Sequence, residues 1–349
     1  MFIKDCWYVA AYSHELAAGE LLPRLIIGLP IVLYRTDAGG IVVLEDRCCH
    51  RLAPLSKGRI EDGCNLRCMY HGLKFDSDGI CIEIPGQDKI PDTARVEKYA
   101  VHEAGGWIWV WMGDIETADP ALVPPVVGFD HADFDVRGGY MDYEANYQLI
   151  NDNLTDFSHL SYVHANSFGA TEEVAETRPK VERLDRGIRV TRWVSRAARE
   201  GKDTVAHRKN SAGAAIFSTY DYLLPGVLLM RSEFHPPEFM PEDRCSFPTT
   251  EPLSGTFTSQ AVTPMTDQTT RYYYCWGPRR RDSEPGMPEQ MMELAQQAFD
   301  EDREMIEAQQ RIMNLKPGNE VLTTADVGPV QMRSIVRHFL KREAEQADA

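Results

Sequence analysis

At 349 residues, with 43% hydrophobic and 26% charged side chains, the chain has a globular composition and exceeds the usual size of one domain, so two domains and a sizeable core are expected. A net charge of -16 disfavours nucleic acid and anionic membrane as general partners, because either surface would repel the protein as a whole. Eight cysteines are too sparse for a disulfide scaffold in so long a chain, and four of them lie between Cys48 and Cys68 among histidines, which points to metal chemistry in a reducing compartment.

The opening Met1–Ala11, MFIKDCWYVAA, carries neither a basic leader nor a cleavage site, and no run of about 18 apolar residues follows. A soluble, cytoplasmic protein is expected. From Ile26 to Asp114, short β-branched and aromatic runs such as WIWVWMGD alternate with turn residues, including Ala38-Gly39-Gly40 and Ser77-Asp78-Gly79. This pattern predicts a small antiparallel β-domain over residues 1–124, closed by the proline-marked ALVPPVVG. Within it, Arg47, Arg51, Lys57, Arg59, Arg67 and Lys74 surround the first cysteines, either as solvated surface or as a docking patch for an acidic partner.

Cys48 and His50 form a C-x-H pair, and Cys68 and His71 a C-x2-H pair. Two thiolates and two imidazoles suit either zinc or a two-iron cluster whose irons carry different ligands. The spacing favours the cluster, since zinc sites more often show C-x2-4-C or H-x3-5-H pairs. Replacing two thiolates by neutral imidazoles raises the reduction potential, as suits an electron relay. Cys49, Cys64 and Cys81 complete neither pair and read as ordinary buried thiols.

Residues 125–349 read as an α+β domain. Tyr147, Ile150, Leu154 and Phe157 form the apolar stripe of an early helix between Tyr143 and Val163. The same stretch, NDNLTDFSHLSYVH, supplies Asp156, His159 and His164; the five-residue step to His164 requires the helix to bend or end first. Strand-like runs fill Lys180 to Trp276, and a late helix follows Pro288. There Ala295, Ala298, Phe299, Asp302, Met305, Ile306 and Gln309 make a buried stripe, with Asp300 and Glu301 turned elsewhere. An acid on such a stripe requires a partner, whether a salt bridge, a cap or a metal, and Asp302 with two imidazoles would make a facial triad. Asn153, one turn before His159, would hold a water or polar group near that metal, or else sit on the helix surface.

The flanking text CCHRLAPLSKG and CMYHGLKFDSDG resembles the two cluster loops of Rieske proteins, and the likeness continues through the second domain. The chain resembles the aromatic-ring and methyl-hydroxylating Rieske oxygenases. FIKDCWYVAAY, IEIPGQDKIP and FDEDREMIEAQQRIM are similar to the branch containing vanillate O-demethylase, toluenesulfonate methyl-monooxygenase and dicamba monooxygenase. The resemblance implies an N-terminal antiparallel β Rieske domain and an α+β, helix-grip-like catalytic domain. It implies one [2Fe-2S] cluster on Cys48, His50, Cys68 and His71, one mononuclear Fe(II) on His159, His164 and Asp302, and O2 as co-substrate. It makes Asp156 a bridge from His159 to the cluster histidine His71 of a neighbouring subunit, in a head-to-tail homotrimer.

Electrons would come from NADH through a separate flavin and iron-sulfur reductase, docking near Arg47, Arg51, Lys57 and Lys74. The expected reaction is hydroxylation of a methyl or methoxy carbon on a small, anionic aromatic. Its contacts are sought on the sheet between Thr204 and Trp276 and at the start of the late helix: Arg231, His235 and Arg271 for a carboxylate or sulfonate, and Gln260, Met291 and Met292 as lining. Two other readings stand beside this one: a ring-hydroxylating dioxygenase component, and a non-catalytic electron carrier or zinc-stabilised binding module.

Overall fold

The computed structural model describes residues 1–165, 167–168, 171–195 and 213–347. The start of the expected substrate-contacting stretch, at Thr204, falls outside them. The chain divides into two compact units, one of Phe2–Val123 with Thr263–Asp267, the other of Met1, Pro124–Val262 and Gln268–Ala349. No helix among the described residues is long and apolar enough to cross a membrane.

The first unit is built of short antiparallel strands. Its first strands are β1 (Trp7–Tyr12), β2 (Leu22–Ile26), β3 (Leu29–Arg35), β4 (Ile41–Glu45) and β5 (Arg59–Glu61), followed by β6 (Asn65–Arg67), β7 (Lys74–Phe75), β8 (Cys81–Glu83), β9 (Val101–Ala104) and β10 (Trp107–Trp111). They form the sheets β1-β10-β9, β2-β3-β4 and β5-β6-β7-β8. The expected turns fall between β3 and β4 and between β7 and β8. A cluster of Val32, Tyr34, Leu44, Leu55, Leu66 and Phe75, all fully buried, fills the space beneath Cys48 and Cys68.

The second unit carries β11 (Arg137–Tyr143), α1 (Tyr147–Thr155), α2 (Glu172–Glu176), β12 (Lys180–Leu184), β13 (Gly187–Ser195), β14 (Ala215–Leu223), β15 (Val227–His235), β16 (Ser254–Pro264), β17 (Thr270–Pro278), α3 (Met287–Leu315) and α4 (Val327–Ala347). Among the described residues its seven strands form one sheet in the order β11-β17-β16-β15-β14-β13-β12. Alternate residues of a strand point to opposite faces, so the pairings Val190↔Tyr220, Tyr220↔Met230 and Met230↔Thr258 put these four side chains on one face. That face meets the helices, because Tyr222 donates to Asn151 Oδ1 at 2.6 Å and Tyr220 to the Thr155 carbonyl at 3.4 Å.

Helix α1 begins where Asn146 caps the Gln148 amide, and ends at Asp156, whose backbone is extended. The expected stripe of Tyr147, Ile150 and Leu154 is buried, and Phe157 belongs instead to a 3-10 turn over Phe157–Ser161. On α3 the buried stripe runs through Met291, Ala295, Ala298, Phe299, Asp302, Ile306 and Gln310. Met305 and Gln309 are exposed, which corrects the expected stripe: a 29-residue helix packed on a twisted sheet drifts by one position over its length.

Helix α4 lies beyond the expected elements. It packs Met332, Ile335, Val336 and Phe339 inward, and its Arg333 Nε donates to Asp152 of α1 at 3.0 Å. Gly328 permits the approach, since a Cβ there would collide with the Thr155 carbonyl oxygen. Gly328→Ala is expected to destabilise the protein by about 1–3 kcal/mol through overpacking. Gly318→Ala, where a Cβ meets nothing within 4 Å, serves as the control in denaturant unfolding and should stay within about 0.5 kcal/mol of the parent.

Candidate metal centres

Two loops of matching design project from the first unit. Cys48 N donates to the Ala53 carbonyl and Leu52 N to the Cys48 carbonyl, both at 2.9 Å; Cys68 N donates to the Leu73 carbonyl at 2.8 Å and Gly72 N to the Cys68 carbonyl at 3.0 Å. Each loop turns through a left-handed residue, Leu52 (φ 59°) in one and Gly72 (φ 80°) in the other. The turn drives both cysteines into the core, at 2% and 1% exposure, and leaves His50 and His71 exposed with ring centroids 4.6 Å apart. Burial pushes the Cys48 thiol up to about 12, so only a coordinated cation would hold it as a thiolate at neutral pH.

Arg67 supports the second loop by donating to the Gly72 carbonyl at 2.7 Å and to Glu61 and Glu83 at 2.8 Å. Its hydrogen bonds, with those of Arg59, hold Glu61 down at about 2. Lys74 is likewise engaged, with Asp62 and Glu61, and Arg47 pairs with Glu45. Arg47, Arg51, Lys57 and Arg59 are all exposed, but Arg47 and Arg59 pair with Glu45 and Glu61, whereas Arg51 and Lys57 form no ion pair among the described residues.

In the second unit, His159, His164 and Asp302 present one donor atom each within 4.8 Å of one another, drawn from the turn after α1 and from α3. Asp302 Oδ2 lies 3.2 Å from His164 Nε2, and Oδ1 lies 3.6 Å from His159 Nε2. The second ring nitrogens are both engaged. His159 Nδ1 meets the Asp156 carbonyl at 2.6 Å, and His164 Nδ1 meets Glu301 Oε2 at 2.9 Å. Burial lowers His159 below its ordinary range. For His164 burial acts in the same direction, but Asp302 and Glu301 outweigh it and raise the group.

His164 Nε2 is buried without a hydrogen bond of good geometry among the described residues, beside a carboxylate that is itself buried. Two imidazole nitrogens and one carboxylate at these separations fit an oxygen-activating ferrous ion with open positions. Asn153 Nδ2 donates to Asp302 Oδ1 at 3.0 Å and lies 3.3 Å from His159 Nε2, so the expected polar group near the metal is Asp302 itself. The Asp156 carboxylate caps the 3-10 turn, accepting from Ser158 N at 2.8 Å and Ser158 Oγ at 3.0 Å. Within one chain it is thus the Asp156 backbone, and not its carboxylate, that touches His159.

The expected substrate residues divide by sheet face. Arg231 and His235 pair with Thr219 and Ala215 in register and so point away from the helices. There Arg231 lies 5.8 Å from the Phe217 ring, and the wholly buried His235 packs 5.1 Å from Trp193 near Glu233. Arg271 also faces outward, with Nε on Asp142 at 2.7 Å and its guanidinium over Tyr140. The strand period thus carries all three side chains to the face away from the helices. Gln260, opposite Leu228, is on the helix-facing side, and its Oε1 is buried without a partner among the described residues. Met291 is buried on α3, roughly 16 Å along the axis before Asp302 at the ordinary helical rise, with Met292 half-buried beside it.

Sequence reasoning missed the polar floor of the helix-facing side, where register aligns Arg192, Ser218, Ser232 and Thr256. It also missed the aromatic contacts beside it, Phe168 5.2 Å from His164 and Trp276 5.9 Å from Phe168. Period-two counting groups these four residues on one strand face with Tyr220, but only the contacts of Tyr220 and Tyr222 with α1 show that this face meets the helices. Glu301, expected to point elsewhere, is corrected as well: its longer side chain swings from the flank of α3 back to His164.

Residues 6–100 match the Rieske [2Fe-2S] domain, and residues 143–342 match the vanillate O-demethylase oxygenase C-terminal domain. The chain is 36% identical to the iron-sulfur subunit of the toluene-4-sulfonate monooxygenase system of Comamonas testosteroni, covering 98% of both chains. It is 33% identical to a vanillate O-demethylase oxygenase subunit of Pseudomonas sp. (strain HR199 / DSM 7063), over 100% of this chain and 98% of that one. Among solved structures, dicamba monooxygenase bound to dicamba superposes with a TM-score of 0.84 at 26% identity, covering 99% of both chains.

Replacing His164 or Asp302 by alanine should remove the mononuclear metal alone. Total iron is expected to fall from three to two atoms per chain while acid-labile sulfide and the visible spectrum of the cluster stay unchanged.

Proposed function

The chain belongs to the Rieske oxygenases whose catalytic domain is of the vanillate O-demethylase type, and from that membership we propose that it is the terminal oxygenase of a multicomponent monooxygenase acting on a methyl or methoxy group of an aromatic acid. The observation that carries this reading is the meeting of His159, His164 and Asp302 in a chain that also holds the Cys48-His50 and Cys68-His71 loops.

Cys48 and Cys68 would hold one iron of the [2Fe-2S] cluster and His50 and His71 the other, while His159, His164 and Asp302 would hold the mononuclear iron. When bound, these groups activate dioxygen with electrons relayed from NADH through a reductase, placing one oxygen atom on the methyl carbon and releasing the other as water. A methoxy substrate then yields a hemiacetal that falls apart to a phenol and formaldehyde, whereas a methyl substrate leaves a benzylic alcohol.

The chain's own contribution is position and exclusion of water. Asn153 orients the Asp302 carboxylate. Phe157, its ring tilted against Tyr220 with centroids 4.7 Å apart, and the Phe168–Trp276 pair supply apolar walls for a ring. Ser218, Ser232 and Thr256 offer hydroxyls to its polar substituents. Arg192, 5% exposed, donates to the Val174 carbonyl at 2.9 Å and pairs with no carboxylate among the described residues, which supports an anionic substituent on the substrate.

The assembly that suits this chemistry is a head-to-tail homotrimer. Leu52, Met69 and Tyr70, 63%, 53% and 66% exposed, rim His50 and His71 with apolar surface of the kind that docks against protein. In such a ring the Asp156 carboxylate, half-buried on Ser158, would turn toward the cluster histidine His71 of the partner subunit. Of the basic residues, Arg51 and Lys57 are the ones free to receive an acidic reductase.

The test uses the iron-loaded enzyme with a compatible reductase, NADH and a panel of methoxy- and methyl-substituted aromatic carboxylates and sulfonates. One formaldehyde per oxygen consumed establishes O-demethylation; a hydroxymethyl product without formaldehyde establishes methyl hydroxylation; oxygen uptake with neither, across the panel, would sink the proposal. Charge reversal at Arg51 and Lys57 should slow reduction of the cluster by the reductase and steepen at low salt, whereas reversal at Arg47 should not. Equal reduction rates in all variants would remove this docking surface.

A further inference from the structure

Two consecutive residues of α3 grip one imidazole from both sides. Asp302 stands 3.2 Å from His164 Nε2, and Glu301 stands 2.9 Å from His164 Nδ1, although 137 residues of chain separate His164 from Glu301. Glu301 is itself held. Ser167 Oγ donates to the same Oε2 at 2.6 Å, and Gln297 Nε2 reaches Oε1 at 3.5 Å from one turn earlier on the helix. The acid therefore ties α3 to His164 and Ser167.

The two ligand histidines are treated differently. His159 Nδ1 faces a neutral backbone carbonyl, while His164 Nδ1 faces a carboxylate. A carboxylate accepting the Nδ1 hydrogen bond fixes the tautomer in which Nε2 carries the lone pair, aims that lone pair, and makes the imidazole a better donor. Its charge also counts. A ferrous ion with Asp302 as its one carboxylate ligand leaves a net positive site, and a second carboxylate one imidazole away neutralises it.

We propose that Glu301 is the positioning residue of the mononuclear metal centre, fixing His164 as an Nε2 ligand and supplying the balancing negative charge. The proposal rests on the reading that His159, His164 and Asp302 hold iron. Glu301 touches neither the metal nor the substrate; it acts through His164.

The experiment titrates Fe(II), anaerobically and against a chelating indicator, into the full-length protein carrying its cluster but stripped of mononuclear metal. Glu301→Gln keeps shape and an acceptor oxygen while removing the charge, and is expected to weaken Fe(II) binding about 10-fold; Glu301→Leu removes both and should approach a 100-fold loss. Ser167→Ala should give a smaller loss in the same direction. The cluster spectrum and thermal midpoint should stay unchanged in Glu301→Gln, and the Fe(III)/Fe(II) potential of the mononuclear site should rise while that of the cluster does not.

Affinities within twofold of the parent in Glu301→Gln and Ser167→Ala would overturn the proposal, as would a loss of affinity that tracks a loss of cluster and thermal stability, since that marks a structural prop. If Glu301→Leu fails to fold, the other two variants still decide. Failure of the parent protein to bind Fe(II) would instead overturn the metal-site reading beneath it.

Discussion

Everything the second unit does depends on bringing a turn and a helix that are distant in sequence within hydrogen-bonding distance of each other. His159 and His164 follow α1, and Asp302 lies on α3. Neither segment could hold the other in isolation. The seven-stranded sheet supplies the common platform, with Tyr220 and Tyr222 receiving α1 on one side and Tyr272 and Tyr274 packing against Phe299 of α3 on the other. Burying an acid such as Asp302 is costly unless it is paired, so the fold tolerates this residue because two imidazoles and an amide converge on it.

Asp156 shows how one residue can serve both fold and chemistry. As the residue that ends α1, it sets the extended backbone that lets the chain leave the helix; its carboxylate then caps the next turn. The same break swings His159 and His164 onto one side, which a continuous helix could not do with a five-residue step. A bridging role toward another subunit would ask its carboxylate to exchange the Ser158 hydrogen bonds for an imidazole, a small rotation of a half-buried side chain.

What could be read from the sequence follows the range of the forces involved. The Cys-His loops were legible because their geometry is local: a C-x-H or C-x2-H turn closes on its own backbone, as the paired Cys48–Leu52 and Cys68–Gly72 hydrogen bonds show. Asp302 was legible as an acid on an apolar stripe. The face that Arg231, His235 and Arg271 occupy was not legible, because a strand's alternation gives two faces without saying which one meets the helices; that is decided by Tyr220, Tyr222 and their partners on α1, a tertiary fact. Glu301 was missed because a helical wheel plots Cα directions, and a glutamate has reach enough to cross from the flank of the wheel. Helix α4 did leave a signal, in the spacing of Met332, Ile335, Val336 and Phe339, but Gly328 and Pro329 at its start read as a break when their role as a close-packing helix start is unknown.

The most direct test of the account is a single turnover. The protein, with cluster and mononuclear iron loaded and chemically reduced, is mixed with oxygen and a methoxy- or methyl-substituted aromatic acid in the absence of any reductase, and product and cluster oxidation are quantified together. The account predicts product in proportion to mononuclear iron occupancy, formed as the cluster is oxidised, and none when Asp302 is replaced by alanine. Oxidation of the cluster without product, whatever the mononuclear iron content, would contradict it and leave the chain as an electron carrier.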